Sequence, residues 1–427
     1  MGKITLNHIT KIEGHARLDI YIEDGELKKC ELGSVEGSRY FEGLIKGHIY
    51  YSAPEITSRI CGICSSAHGV VSVTAMERAL GIEVTEQTII LRELQSIGER
   101  IRSHAAHLYL LALPDYLGYK SAIAMAEKYP EEVKRALRLI KLGNDMVTLV
   151  SGRVMHQVAS DIGGFNHFPT QRELDKLKEL LIGAKSDIME TAELIASLEV
   201  PELQNDSPFF CLSRDDKYAT SYGYIKVGDK TFEQKDYQKV IEEYHEPHSN
   251  ANFVVKEGKA YYVGALARVN NNLRLLSPET KEFMSGINVR FPSNNPFHNN
   301  LAQALELIHY REECVNILDD FKIKHEKKID FTVKEGHGIA ANEAPRGTVW
   351  HEYKINDKGI ITYANVITPT AQYMRHMQDS IEIYVRQLLE NNKKEDEIVF
   401  EVEKLIRSYD PCLSCATHFL EVKWHRS

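Results

Sequence analysis

The sequence predicts an α+β fold, mainly α. A central bundle of long helices carries small antiparallel β-sheets, and a metal site is buried between an N-terminal and a C-terminal cysteine pair. Three observations predict it. Apolar and polar residues alternate near the start of the chain, longer stretches repeat apolar positions every three or four residues, and two Cys-x-x-Cys pairs stand far apart in sequence.

The alternation covers residues 4–40, as in Ile4-Thr5-Leu6 and Leu18-Asp19-Ile20-Tyr21-Ile22, and Asp24-Gly25 falls where a tight hairpin turn belongs. A small antiparallel sheet is predicted there. From Thr85 the period changes. Ile90, Leu94, Ile97, Ile101, Ala105, Leu108 and Leu111 mark a long amphipathic helix ending near Pro114. Helical patterns return at 131–158, 171–198, 299–325, 371–392 and 395–408. Residues 205–298, rich in Tyr, Asn, Pro and Gly, are less regular, and a short strand is predicted from Gly359 to Thr368, after the turn-rich Pro345-Arg346-Gly347. With no internal repeat and no low-complexity linker, residues 1–427 are expected to form a single domain.

Length alone, at 427 residues, would allow two or three domains, and 43% hydrophobic with 26% charged residues is ordinary for a globular protein. No apolar run approaches the roughly 18 residues that span a bilayer. The start, Met1-Gly2-Lys3-Ile4-Thr5, lacks a secretory pattern, so a cytoplasmic location is expected. A net charge of −9 disfavours nucleic acid and anionic membranes as partners. Seven cysteines, an odd number, argue against a disulfide framework and for metal or redox chemistry at any clustered pair.

The pairs are Cys61-Gly62-Ile63-Cys64 and Cys412-Leu413-Ser414-Cys415. A two-residue gap lets both sulfurs of a pair reach one ion, and four thiolates suit a soft or borderline metal. One such pair alone would read equally as a thioredoxin-like motif or chance. Two pairs make a structural zinc site a rival, although zinc ribbons bring their pairs within roughly 15–20 residues. Here the second pair lies in the last sixteen residues, which favours a site at the centre of the whole fold. Cys30, Cys211 and Cys314 are isolated and read as ordinary buried thiols.

These residues resemble a known family. Arg59-Ile60-Cys61-Gly62-Ile63-Cys64 with His68, and Asp410-Pro411-Cys412-Leu413-Ser414-Cys415-Ala416-Thr417-His418, look like the two metal-binding signatures of nickel–iron hydrogenase large subunits. Lys11-Ile12-Glu13-Gly14-His15, Ser151-Gly152-Arg153 with His156 and Gly163-Gly164, and Glu343-Ala344-Pro345-Arg346-Gly347 resemble the family's other motifs, in the same order. The short length and Asn300-Leu301-Ala302-Gln303-Ala304-Leu305-Glu306 resemble its cytosolic group of sulfhydrogenases and NAD(P)-linked bidirectional enzymes.

The resemblance implies reversible heterolytic cleavage of dihydrogen at a nickel–iron centre whose iron carries one carbon monoxide and two cyanides. It implies that Cys61, Cys64, Cys412 and Cys415 bind nickel and that Cys64 and Cys415 bridge to iron. Cys412 would be the first proton acceptor and Glu13 would pass the proton outward. Arg346 would hold positive charge over the open face between the metals. Thr370 would donate to a cyanide, His68 would hydrogen-bond the sulfur of Cys64, and Asp115 and Asp410 would complete the acidic surroundings of Arg346. Glu42 and His418 would hold a magnesium ion. Without these motifs, Glu13 would read as a solvated turn residue, Arg346 as a surface arginine and His418 as a structural histidine.

The family's precursor is cut after the final signature's histidine, so Phe419–Ser427 is expected to be a removable extension. Scattered cysteines and the lack of a Gly-x-Gly-x-x-Gly fingerprint leave electron transfer and nucleotide binding to partners. By the resemblance these are a small subunit with iron–sulfur clusters and flavin-containing NAD(P) diaphorase subunits, with a maturation protease and nickel chaperones acting during assembly.

Overall fold

The computed structural model describes residues 2–37, 39–218 and 220–417. The N-terminal alternation becomes a three-stranded antiparallel sheet of β1 (Gly2–Leu6), β2 (Ala16–Glu23) and β3 (Glu26–Ser34). Ile4 pairs with Ile20 and Leu18 with Leu32, so one face buries Leu18, Ile20, Cys30 and Leu32. Asp24 and Gly25 close the β2–β3 hairpin at φ 52° and 80°, the left-handed pair that matches the twist of the strands.

The long helices follow: α1 (Ser65–Leu80), α2 (Glu86–Ala106), α3 (Pro130–Ser151), α4 (Gln171–Gly183), α5 (Lys185–Ala196), α6 (Ala265–Asn272), α7 (Asn299–Asp320), α8 (Pro369–Glu390) and α9 (Glu395–Ser408). Thr85 caps α2 by accepting the Thr88 N–H at 3.1 Å. The helical path ends at Tyr116, near Pro114 as the pattern predicts. It passes through a π-helical stretch, His107–Ala112, into Leu113–Tyr116, where Pro114 occupies the first turn and its missing N–H is no loss. The predicted helix over 171–198 is two helices meeting at Ala184. Leu174, Leu177 and Leu181 of one and Ile188, Ala192 and Ile195 of the other all face a single core, so the repeat reads as continuous.

Residues 205–298 contain two small antiparallel sheets. The first holds β4 (Phe210–Ser213), β5 (Tyr224–Val227) and β6 (Lys230–Phe232), the second β7 (Glu242–His245) and β8 (Asn252–Val255). A further three-stranded sheet follows in the order β9 (Gly336–Ala344), β10 (Gly347–Ile355), β11 (Ile361–Ile367). Only β11 was legible as a strand. In β9 and β10 nearly every residue is buried, so the alternation that marks a half-exposed strand is missing. The β9–β10 hairpin lies against α1 so closely that a Cβ at Gly338 would stand 2.0 Å from the Ala75 carbonyl oxygen.

Among the described residues two large apolar clusters and a small one, Phe41, Ile60 and Val366, result. The first large one joins the N-terminal sheet to α2, α3, α7 and α8, and the second fills the space between α1 and the β9–β11 sheet. The four cysteines of the two pairs form a separate buried cluster, as the fold class predicts.

Candidate metal centre

The segments around Glu13 and Cys412 are brought together by backbone pairing. Glu13 forms a parallel bridge with Cys412: its N–H donates to the Pro411 carbonyl at 3.3 Å, and the Leu413 N–H donates to the Glu13 carbonyl at 2.9 Å. Arg39 ties both cysteine loops, its Nη2 donating to the carbonyls of Ile60 at 3.0 Å and Ser414 at 2.6 Å. Cys64 immediately precedes α1, and Cys415 sits on a short turn of helix, Leu413–Ala416.

The resulting sulfurs make a cage. The Sγ atoms of Cys61, Cys64, Cys412 and Cys415 all lie within 4.8 Å of one another, with close pairs from 2.6 Å (Cys412–Cys415) to 3.9 Å (Cys64–Cys415). The four residues are between 1% and 4% exposed. A tetrahedral metal with bonds of about 2.3 Å would hold its sulfurs about 3.8 Å apart, so the cage is of the right size. Its electrostatics also ask for a cation. The neighbouring thiols, Cys412 first, donate to Cys61 and hold it well below the usual thiol range, while burial pushes Cys412 and Cys415 up. The cage thus stabilises one thiolate readily. Four thiolates need more positive charge than Arg346, with Nη1 3.7 Å from Cys64 Sγ, supplies alone. Among the described residues no other group of His, Cys, Asp or Glu side chains converges in this way.

Of the other sequence-predicted residues, Glu13, Arg346, Asp410 and Thr370 contact the cage or its loops. Glu13 Oε2 faces Cys412 Sγ at 3.0 Å and accepts the Ser414 N–H at 3.1 Å. Arg346 stands at the tip of the β9–β10 hairpin, buried, with Nη2 2.7 Å from Asp410 Oδ1 and Nε donating to the Asp410 carbonyl at 2.8 Å. Thr370 Oγ1 accepts the Cys412 N–H at 3.0 Å and meets the Tyr373 hydroxyl at 2.9 Å. His68, on the first turn of α1, has Nδ1 3.0 Å from His351 Nε2, and His351 continues to the Tyr353 hydroxyl at 2.6 Å. Asp115 takes its ion pairs from Arg407, at 2.8 Å, and from Lys11, whereas the Arg346 guanidinium is paired with Asp410. Glu42 lies on the short helix Phe41–Ile45, and the Arg39 N–H just before it donates to the Thr417 carbonyl at 3.0 Å. His418 and residues 419–427 lie outside the described residues.

Sequence reasoning missed the groups that hold the first cysteine loop. Glu99 accepts the Ser66 and Ala67 N–H groups at 2.7 and 2.9 Å, capping the start of α1. Arg102 donates to the Ile63 carbonyl at 3.0 Å, to Val154 O at 2.6 Å and to Glu99. Both belong to the polar stripe of α2, which an amphipathic pattern assigns to solvent and which the fold buries. The one available signal was the charge density of that stripe, Arg92 to Arg102.

Comparison with known proteins decides among the metal chemistries open to such a cage. The family described as Nickel-dependent hydrogenase matches residues 39–199 and 256–418. Sulfhydrogenase 1 subunit alpha of Pyrococcus furiosus is 36% identical over 428 residues, covering 98% of each chain. This chain belongs to the nickel-dependent hydrogenase family. It is a hydrogenase large subunit, an oxidoreductase. Other relatives are Sulfhydrogenase 2 subunit alpha of the same organism, 33% identical over 98% of this chain and 100% of that one, and NAD-reducing hydrogenase HoxS subunit beta of Cupriavidus necator, 27% identical over 98% and 95%. The fold is shared with a crystal structure of an NAD+-reducing [NiFe]-hydrogenase in the H2-reduced state, at a TM-score of 0.89 and 24% identity over 98% of this chain and 100% of that chain. Among the described residues no helix of this hydrogenase subunit is long and apolar enough to cross a membrane.

Proposed function

We propose that this hydrogenase subunit cleaves and forms dihydrogen heterolytically at a nickel–iron centre held by Cys61, Cys64, Cys412 and Cys415. Its electrons pass to an iron–sulfur small subunit and on to NAD(P) or a similar carrier. When bound, that centre, with carbon monoxide and cyanide on its iron, supplies the redox states and Lewis acidity that polarise dihydrogen. The observation that carries the reading is the Cys412–Glu13 contact. A buried thiol that is also a cage member stands 3.0 Å from the carboxylate of Glu13, a residue of the half-buried segment 11–14. That is hydrogen-bond reach for a proton leaving Cys412 Sγ for Glu13 Oε2.

The surrounding residues then divide the work. Arg346, fixed by Asp410, keeps a positive charge 3.7 Å from Cys64 Sγ without reorganising during reaction. Thr370 fixes the Cys412 backbone, and Asp115, through Lys11 and Arg407, steadies the segment leading to Glu13. His68 orients the start of α1 through its bond to His351. Glu42 would carry magnesium with His418.

Electrons need an acceptor on another chain, because Cys30, Cys211 and Cys314 are buried and isolated. Ile63, exposed between buried Cys61 and Cys64, marks the surface nearest the cage, where the small subunit would dock. NAD(P) diaphorase subunits would join through it, in the cytoplasm, after nickel chaperones load the site and a protease removes 419–427.

Infrared spectroscopy of the purified complex tests the reading. Sharp carbon monoxide and cyanide bands that move under hydrogen gas are expected. An empty window in a fully metallated sample, with one zinc per chain, would replace the enzyme by a structural four-cysteine metal protein. Intact mass of active enzyme should end at His418; retention of all nine further residues would sink the processing step.

A further inference from the structure

The tip of the β9–β10 hairpin is unusual in being buried. Ala344 pairs with Gly347, so Pro345 and Arg346 alone make the turn, and both residues are buried with no strand partner for their carbonyls. Pro345 has no N–H to contribute. The turn is instead held from behind by Arg268 of α6, a side chain with no solvent exposure. All five guanidinium N–H groups of Arg268 are used. Nε and Nη2 donate to Glu306 Oε1 and Oε2 at 2.6 and 2.7 Å, and Nη1 donates to Glu343 Oε2 at 2.9 Å. The remaining two donate to the Ala344 and Pro345 carbonyls, both at 3.0 Å.

Neighbouring groups complete the support. Arg100 donates to the Glu343 carbonyl through Nε and Nη2 at 3.0 and 2.5 Å. Glu343 Oε1 accepts from Thr348 Oγ1 at 2.6 Å across the hairpin and from the Leu212 N–H at 2.8 Å. Gly264, which opens α6 at φ 124°, leaves room for the Arg346 carbonyl, which a Cβ there would approach to 3.2 Å. Three successive carbonyls, those of Glu343, Ala344 and Pro345, are thus fixed by two buried guanidiniums immediately before the residue that faces the sulfur cage. Burying two arginines and two carboxylates is costly unless every bond is made. Apolar side chains would fill the same space more cheaply, so the expense marks a need for defined geometry.

We infer that Arg268 is a positioning residue for the hydrogenase reaction: clamped by Glu306 and Glu343, it sets the Ala344–Arg346 turn and so aims the Arg346 guanidinium at Cys64 and Asp410. The inference rests on the proposed role of Arg346. A lysine at 268 keeps the charge and loses the fork, with three donors replacing five.

The test is a double-mutant cycle on the assembled, metal-loaded complex, using R268K, R346K and R268K/R346K, read by dihydrogen–deuterium exchange and by the infrared bands of the diatomic ligands. R346K should slow exchange by about 10²–10³-fold. R268K should slow it by roughly tenfold and shift the bands in the direction that R346K shifts them, and the double variant should be no slower than R346K alone. Additive losses, or bands unmoved in R268K, overturn the inference, because a purely structural role would weaken the complex without touching Arg346. If R268K does not assemble, E306Q loosens the same clamp and is judged by the same two readouts. A wild-type rate in R346K itself would sink the reading of Arg346, leaving the R268K band shift to decide whether the turn is set from α6.

Discussion

Glu13 Oε2 does two things at once. It accepts the Ser414 N–H, which fixes the loop between Cys412 and Cys415, and it faces the Cys412 thiol. Glu13→Gln separates them, because an amide oxygen still accepts the N–H while an amide does not relay protons. Metal content and infrared bands should stay as in the wild type, and dihydrogen–deuterium exchange should fall by about 10²–10⁴-fold. Exchange at the wild-type rate would show that protons leave Cys412 another way. At this scale the sequence was most informative. The four cysteines, Glu13, Arg346, Asp410 and Thr370 are all residues the motifs single out, and their side chains meet in space. Arg39, Glu99, Arg102 and Arg268 were not legible. Each acts by donating to or accepting from backbone atoms of residues far away in sequence, and such a partner leaves no local pattern.

Elements behave differently, because a helix is read by its apolar face and α1 and α2 have no dry–wet division. Both are buried around most of their circumference, and their polar residues bond to one another or to neighbouring elements. Arg92 of α2 makes a two-pronged bond to Glu77 of α1 at 2.8 and 2.7 Å, and Glu77 also accepts the Gly163 N–H. Arg92 is fully buried and Glu77 is 3% exposed. This pair fixes the helix that begins at Cys64 against the helix that carries Arg100 and Arg102. Glu77→Ala leaves a buried guanidinium uncompensated and should cost about 3–5 kcal/mol in unfolding free energy. Replacing both partners, Glu77→Leu with Arg92→Met, should recover most of that loss. A thermal-unfolding cycle in which the double replacement is as damaging as Glu77→Ala would mean that the helices need this charge pair itself and not just a filled space.

At the scale of the molecule, two linkages decide how the fold responds to its surroundings. Burial lowers His309 from 6.5 to about 4, and its Nδ1 already accepts the Ser277 N–H at 3.1 Å, so the folded ring is neutral. Above pH 6.5 the folded and unfolded states both leave this histidine uncharged. Between 6.5 and 4 the unfolded chain takes up a proton that the folded chain refuses, so stability falls with pH by up to about 1.4 kcal/mol per unit from this group. Burial of His376, lowered to about 3, acts in the same direction. His309→Gln should flatten the pH dependence of thermal unfolding across pH 5 to 6.5 by close to one proton; an unchanged slope would assign the acid sensitivity elsewhere. The second linkage is the metal. The cage joins residues 61–64 to residues 412–415, and apart from the Arg346, Gln303 and Tyr373 bonds to Asp410 just before it, the second segment is held mainly by the Glu13 pairing, the Arg39 ties and the Thr370 hydroxyl. By contrast, α1 and α2 are locked by apolar packing and by Arg92–Glu77, which a metal does not touch. Removing the metal should therefore open the structure locally before it opens globally. In hydrogen-exchange mass spectrometry of the metal-free chain, amides of residues 410–417 and 11–14 should lose protection together, while those of α1 and α2 keep theirs. Equal protection of 410–417 with and without metal would mean that the backbone pairing alone closes the chain, and that the cysteines bind metal in a site already complete.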